Sequence, residues 1–226
     1  MFHQSRGEWQ AAQEQAERLL ALCREQGFAY RLAMGAILRG WTRARQGEGE
    51  EGILQMSQGL AAWRATGAEL VQPYYLALLA EAYGEVGQEE EGGRMLAEAL
   101  FRVDKTGERY YEAELYRLKG TLTLQQANQK AKGKSQKSKF TDPRPLTPDP
   151  HVEAEAYFLK AIEIARRQQA KSLELRATVS LARLWQSQGK QREAHQMLAE
   201  VYNWFTEGFD TKDLQEAKAL LKELGR

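Results

Sequence analysis

Apolar residues recur three and four positions apart along most of the chain, with polar and charged residues between them. In 75–83 they cover more than one side of a helix, which is typical of a helix packed between neighbours. The residues concerned are Tyr75, Leu76, Leu78, Leu79, Ala82 and Tyr83. The pattern therefore predicts an all-α protein.

Applied along the whole chain, this spacing predicts ten helices. They lie near 8–25, 28–46, 49–65, 70–86, 89–105, 108–127, 151–169, 171–188, 191–205 and 211–224. The first predicted helix resembles the second helix of a helix pair whose first helix is missing. The last follows a possible N-cap at Asp210 or Thr211, and we expect it to cover the apolar end of a stack of pairs.

Glycines mark the ends of these helices at a regular interval. Two series of glycines, each spaced by 40 residues, interleave in the first half of the chain: Gly7, Gly47 and Gly87, and Gly27, Gly67 and Gly107. Glycine ends a helix readily because it can adopt the left-handed conformation. Each block of 20 residues is therefore expected to form one helix and one tight turn.

Small and aromatic residues follow the same 40-residue period. Small residues recur 40 positions apart where helices would approach closely: Gly40, Gly52 and Gly59 correspond to Ala80, Gly92 and Ala99. An aromatic position of the repeat is filled by Tyr83 and by Trp185. The same pattern of small and aromatic residues returns at Ala154, Phe158 and Ala161. This arrangement resembles the tetratricopeptide repeat (TPR), whose usual length is about 34 residues. The resemblance implies a right-handed α-solenoid of about five helix pairs with a C-terminal capping helix.

One segment interrupts the period. Residues 127–150 contain four of the five prolines and five lysines, with few apolar residues, so we expect a disordered insertion loop. Helical repeats are predicted on either side, in 1–126 and 151–226. The first segment carries 14 basic and 18 acidic residues, the loop 6 and 2, and the last segment 12 and 11.

Composition argues against several classes of partner. The net charge of +1 lacks the basic excess of a nucleic-acid-binding protein. No apolar run is long enough to span a membrane, and no signal peptide is evident at the start. The single cysteine cannot form an internal disulfide. A cytoplasmic protein that binds neither nucleic acid nor membrane is the expectation.

Few residues of the sequence match a catalytic, cofactor-binding or metal-binding motif. Gly47 to Gly52 match the dinucleotide fingerprint G-x-G-x-x-G, but a helix precedes them where that fingerprint needs a strand. The three histidines have no partner at metal-ligand spacing, and Cys23 is expected to be a small core residue. We therefore expect no metal, no cofactor and no catalytic residue, and the chain is predicted not to be an enzyme.

Longer segments resemble one group of bacterial proteins. The turn Thr106 to Arg109, the joint at 166–172 and the segment Trp204 to Asp210 are similar to the C-terminal TPR arrays of STAND-type signalling ATPases, which often carry a class III adenylate/guanylate cyclase domain. The ATPase and cyclase motifs have no counterpart in this chain. The resemblance implies an interaction or sensor module of bacterial signal transduction.

In such arrays the first helix of each pair lines a concave groove that binds partners. Counting back from the turn glycines places a set of side chains in this predicted groove: Trp41, Arg45, Tyr74, Glu81, Glu85, Arg117, Arg176 and Arg183. Trp41 and Tyr74 could equally pack between successive pairs. The lysine and asparagine clamp that related repeats use for a C-terminal carboxylate is not matched, since Ile37 and Trp41 occupy its first positions.

Three functions remain open from the sequence. The first is a scaffold that holds a peptide or protein segment in the groove, and the second is a regulatory domain that senses a small effector. The third is a self-associating structural module. Its contact would be the N-terminal end, where Phe2, Trp9, Leu19 and Leu20 would otherwise meet water.

Overall fold

The computed structural model describes residues 9–134 and 149–226. These residues form ten α-helices and no strand, as the apolar spacing predicts. The chain divides into two compact units, one ending at Arg109 and the other beginning at Tyr110. An all-α fold is therefore confirmed.

Unit 1 contains five helices: α1 (Trp9–Gln26), α2 (Ala29–Arg45), α3 (Gly49–Ala65), α4 (Gln72–Glu85) and α5 (Glu89–Thr106). Consecutive helices α2 and α3 pack together extensively, and so do α4 and α5. Helix α2 also contacts α4, so the first helices of the two pairs are neighbours. The core between them is lined by large buried side chains such as Ile37, Met56, Trp63 and Tyr75.

Unit 2 contains the other five: α6 (Glu112–Lys134), α7 (Pro150–Arg167), α8 (Lys171–Ser187), α9 (Gln191–Tyr202) and α10 (Lys212–Leu224). Here α6 packs on α7, and α8 packs on both α7 and α9. The first helices are again neighbours, because α8 contacts both α6 and α10. Phe158, Leu181, Leu198 and Ala217 are among the residues buried in this unit.

The turn glycines explain why the helices end where they do. Gly27, Gly47, Gly67, Gly87, Gly107 and Gly189 all have positive φ, between 70° and 94°. A side chain would strain the backbone there, whereas glycine adopts this conformation readily. The prediction that Gly27, Gly47, Gly67, Gly87 and Gly107 end helices is confirmed, whereas Gly7 of the same series lies outside the described residues.

The small residues of the repeat lie where two helices touch. A Cβ atom placed on Gly40 would lie 2.7 Å from the carbonyl oxygen of Gly52, and one on Gly52 would lie 2.6 Å from that of Gly40. The backbones of α2 and α3 therefore meet directly at these two positions. This contact also assigns Gly52 of the apparent dinucleotide fingerprint to helix packing.

Two expectations from the sequence need correction. Helix α6 continues to Lys134, so residues 127–134 are helical where we expected the loop of 127–150 to begin. Residues 135–148 of that predicted loop lie outside the described residues. At the N-terminal end, Leu20 is buried rather than exposed, because it packs against α2 at Gly35. Leu19 is half-buried, and Phe2 and the side chain of Trp9 lie outside the described part.

Candidate functional site

The predicted groove residues lie in both units of the chain. In unit 1 four of them come together on α2 and α4, the first helices of two successive pairs. We call this group the unit-1 ladder: Trp41 and Arg45 on α2, and Glu81 and Glu85 on α4. Tyr74 lies outside this group and contacts Tyr75, with 5.5 Å between ring centroids.

Contacts in the unit-1 ladder join residues that are 40 positions apart. The indole Nε1 of Trp41 donates a hydrogen bond to Oε2 of Glu81 at 3.4 Å, and the Arg45 guanidinium forms an ion pair with Glu85. Arg45 also lies 2.9 Å from Oε1 of Glu81, and its guanidinium stacks over the Trp41 ring at 5.4 Å. The sequence period is thus a period of contacts between the two helices.

Accessibility separates the members of this set. Trp41 and Tyr74 are each only 3% exposed, so they are packing residues and offer a ligand little surface. The side chains of Arg45, Glu81 and Glu85 keep between a quarter and about a third of their surface in solvent. One guanidinium facing two carboxylates leaves this group negatively charged.

In unit 2 two of the predicted arginines belong to an internal ion-pair cluster. Arg117 binds the carboxylate of Glu114 through both Nε, at 3.0 Å, and a terminal nitrogen, at 2.7 Å. Arg176 lies 3.9 Å from the same carboxylate and donates from Nε to Asp213 at 2.7 Å. These four residues, which we call the unit-2 cluster, join α6, α8 and α10.

The unit-2 cluster is largely withdrawn from water, because Glu114 is buried and both arginines are less than a fifth exposed. Burial favours the neutral form of Glu114, but the charge of Arg117, its hydrogen bonds and the charge of Arg176 outweigh burial. Together they lower the pKa of Glu114 below its usual 4.5. Burial likewise opposes the charge on Arg176, whereas Glu114 and Asp213 raise its pKa overall. Glu114 and Arg176 are thus held charged, and Arg117 and Arg176 are engaged inside the fold.

Arg183 differs from the other two predicted arginines. Its side chain is 59% exposed, and its contact with Glu216 of α10 is loose, at 3.7 Å. It is therefore the arginine of the predicted set in unit 2 that a ligand can reach most readily. Sequence position alone could not separate it from Arg176, because the difference arises from carboxylates on other helices.

A carboxylate also holds the turn between α3 and α4. Glu108 accepts the backbone N–H of Val71 with both oxygens, at 2.7 and 2.9 Å. Val71 has a φ of 67°, a left-handed conformation that is unfavourable for a β-branched residue. Burial raises the pKa of Glu108, and the hydrogen bond from Val71 opposes that rise. Nothing in the sequence signalled this contact, since no glycine stands at position 71.

Neither a metal-binding cluster nor a membrane-spanning helix occurs among the described residues. In 9–134 and 149–226, no group of three or more His, Cys, Asp or Glu side chains is arranged to hold a metal ion. Cys23 is buried, as expected for a small core residue. No described helix combines the length and the apolar character needed to cross a membrane.

Comparison with known proteins gives one informative likeness. No family model matches the chain, and no curated protein matches it. Among solved structures, the crystal structure of BtubC (BKLC) from P. vanneervenii is similar, with a TM-score of 0.59 and 14% identity. The match covers 99% of this chain and 89% of that one. At this identity the likeness concerns the fold alone, and it agrees with an all-helical architecture.

Proposed function

We propose that the chain is a non-catalytic interaction scaffold that binds a peptide or protein segment on the first helices of its pairs. In this proposal the helices form an α-solenoid of about five TPR-like pairs, with α10 as the capping helix. Each unit has its own binding face, formed by α2 and α4 in unit 1 and by α6 and α8, with the adjoining α10, in unit 2. The resemblance to bacterial signalling arrays supports a role in signal transduction in the cytoplasm.

One observation carries the proposal. Equivalent positions of successive pairs, 40 residues apart, contact each other on the first helices, and the charged members of the unit-1 ladder remain partly accessible. Repeat proteins bind partners on surfaces of this kind, where each added repeat extends one continuous face. Partly accessible charged groups can exchange contacts with their repeat neighbours for contacts with a ligand.

The charge of the unit-1 ladder suggests what a ligand would present. Arg45 faces both Glu81 and Glu85, so the group carries a net negative charge. A basic side chain of a bound segment would be attracted to Glu85, the most exposed of the three. We therefore propose a ligand segment with a lysine or arginine over the unit-1 ladder.

The test uses two matched carboxylates. Glu85 lies on α4, a first helix, and Glu98 lies on α5, a second helix. Each pairs with an arginine of the preceding pair, and their side chains are similarly exposed, at 35% and 31%. Peptides would be selected on the intact chain from a random display library, synthesised, and titrated by calorimetry against Glu85→Gln and Glu98→Gln.

We expect Glu85→Gln to weaken binding about fivefold to tenfold, a typical effect for one partly exposed charge contact, and Glu98→Gln to leave it unchanged. Equal effects of the two substitutions would contradict the assignment of the face. Failure to enrich any peptide would contradict the proposed function itself.

A further inference from the structure

An exposed aromatic surface lies in unit 2. It is formed by the loop of residues 203–211, between α9 and α10. Trp204 is 58% exposed and Phe209 is 47% exposed. Large apolar side chains exposed on one short loop are a feature of many protein interaction sites. We call Trp204 and Phe209 with their supporting rings the aromatic step.

Each exposed ring rests on an anchored one. The Trp204 ring meets Phe205 edge to face, with centroids 5.2 Å apart, and Phe209 lies 5.9 Å from Tyr202. Phe205 and Tyr202 in turn pack against the buried core around Leu198. The exposed rings are therefore held in place by the core of the unit.

Hydrogen bonds also hold the backbone of this loop in place. The N–H of Phe205 binds the carbonyl of Tyr202, and Thr211 binds the carbonyl of Gly208 through both its N–H and its hydroxyl. Gly208 has a φ of 76°, a conformation suited to glycine. A partner that covers Trp204 would lose little affinity to ordering the loop, because the loop is ordered beforehand.

Cations border the aromatic step on one side. The Lys171 ammonium lies 5.5 Å from the centre of the Trp204 ring and 2.7 Å from one oxygen of Glu174. The other oxygen of Glu174 accepts a hydrogen bond from Nε of Arg166 at 2.7 Å. Two cations thus share one buried carboxylate, so this border carries a net positive charge, and Arg166 is half-exposed.

We infer that the aromatic step is a docking surface for a protein segment in which a bulky apolar side chain is flanked by carboxylates. The apolar side chain packs on Trp204, and a carboxylate approaches Lys171 and Arg166. Glu207 and Asp210 are exposed in the same loop, so an anionic membrane would meet these carboxylates together with the cations, whereas a peptide can place its carboxylate on the side of Lys171 and Arg166 alone. The inference does not depend on the first-helix face.

The first experiment uses defined probes and the full chain. Three hexapeptides are compared. The first is Glu-Glu-Phe-Leu-Glu-Glu, the second has lysine in place of each glutamate, and the third has serines in place of Phe-Leu. Binding is followed through the indole N–H signals in NMR spectra, with the Trp204 signal assigned by its loss in Trp204→Phe. We expect the acidic apolar peptide to shift the Trp204 signal and the other two to leave it in place.

A second comparison separates this surface from any exposed aromatic side chain. Phe101 on α5 is 66% exposed and provides the matched control. We expect Trp204→Ala to weaken binding of the acidic apolar peptide roughly tenfold, as at an interface anchor, and Trp204→Phe to retain most of it. Phe101→Ala and Glu85→Gln should have no effect.

Three results would overturn the inference. The first is a shift of the Trp204 signal with the lysine peptide as large as the shift with the acidic peptide. The second is a shift with phosphatidylserine vesicles but not with the acidic peptide. The third is a Trp204 signal that moves when the protein alone is diluted. The last would assign the surface to contacts between copies of the chain.

Discussion

The indole nitrogen of Trp41 donates a hydrogen bond to the carboxylate of Glu81, 40 residues further along the chain. The neighbouring positions, Arg45 and Glu85, repeat the same offset with an ion pair. Residues at equivalent places in two successive pairs therefore face each other across α2 and α4. This relationship gives a physical meaning to a period first visible only as a spacing of glycines.

The close approach of α2 and α3 predicts a strong effect of one added methyl group. We expect Gly52→Ala to lower the free energy of unfolding by about 2–3 kcal/mol, because its Cβ would overlap the backbone of α2 at Gly40 and Ala44. Urea denaturation followed by circular dichroism measures the change.

Gly93 is the matched control for that substitution. It lies within α5 with no atom near the position of a Cβ. Gly93→Ala should stabilise the protein by about 0.5–1 kcal/mol through higher helix propensity. If both substitutions stabilise, the helices do not meet at Gly52.

How well the fold could be predicted depends on whether its signal is local. Gly47 and Gly87 terminate helices through their own backbone preference, so their spacing revealed the repeat. Gly40 and Gly52 were identifiable because small residues that recur at a fixed offset indicate a close approach of two helices. Each of these features can be recognised from the residue itself or from the residue 40 positions away in the repeat.

The site was less predictable because its properties depend on distant residues. Arg176 and Arg183 lie on the same helix, yet Arg176 is engaged by Glu114 and Asp213 from two other helices, whereas Arg183 is exposed. Val71 adopts a left-handed conformation without being glycine, since Glu108 binds its N–H. Helix α6 extends to Lys134 through residues whose polar character suggested a loop.

The two arginines of α8 should respond very differently to loss of charge. We expect Arg176→Met to destabilise the protein by about 1–3 kcal/mol, because Asp213 loses the Nε donor at 2.7 Å, while Glu114 keeps its hydrogen bonds from Arg117. Arg183→Met should change stability by less than about 0.5 kcal/mol, as is usual for an exposed pair. Similar losses measured by urea denaturation would show that Arg176 is not part of a buried network.

The lowered pKa of Glu114 predicts the pH dependence of stability. The unfolded chain takes up a proton at Glu114 near pH 4.5, whereas the folded chain does so only at lower pH. The stabilisation is therefore complete above about pH 4.5 and is lost as the pH falls through the folded pKa. The pKa of Glu174, lowered by Arg166 and Lys171 against burial, acts in the same direction.

Glu114→Gln isolates this contribution. The variant should be less stable than the parent protein at pH 7, and the difference should shrink as the pH falls below about 4.5 and through the lower pKa at which the folded parent protonates Glu114. Urea midpoints measured from pH 7 to pH 3 give this difference directly. A difference that stays constant across the range would mean that Glu114 titrates normally.

The contact between Glu108 and Val71 predicts local rather than global loosening. Glu108→Ala should destabilise the protein by about 1–3 kcal/mol, because the N–H of Val71 loses its acceptor. Hydrogen exchange at Val71 should accelerate more than exchange in the middle of α4. Glu69→Ala, an exposed change in the same turn, is the control and should alter neither quantity.

The proposed function depends most directly on where a selected peptide contacts the chain. The decisive measurement is the change in backbone amide shifts when such a peptide is titrated into the isotope-labelled protein. The proposal predicts that the changes concentrate on first helices, around Arg45, Glu81 and Glu85 in unit 1 and around Arg183 in unit 2. Changes concentrated on the second helices α3, α5, α7 and α9 instead would contradict it.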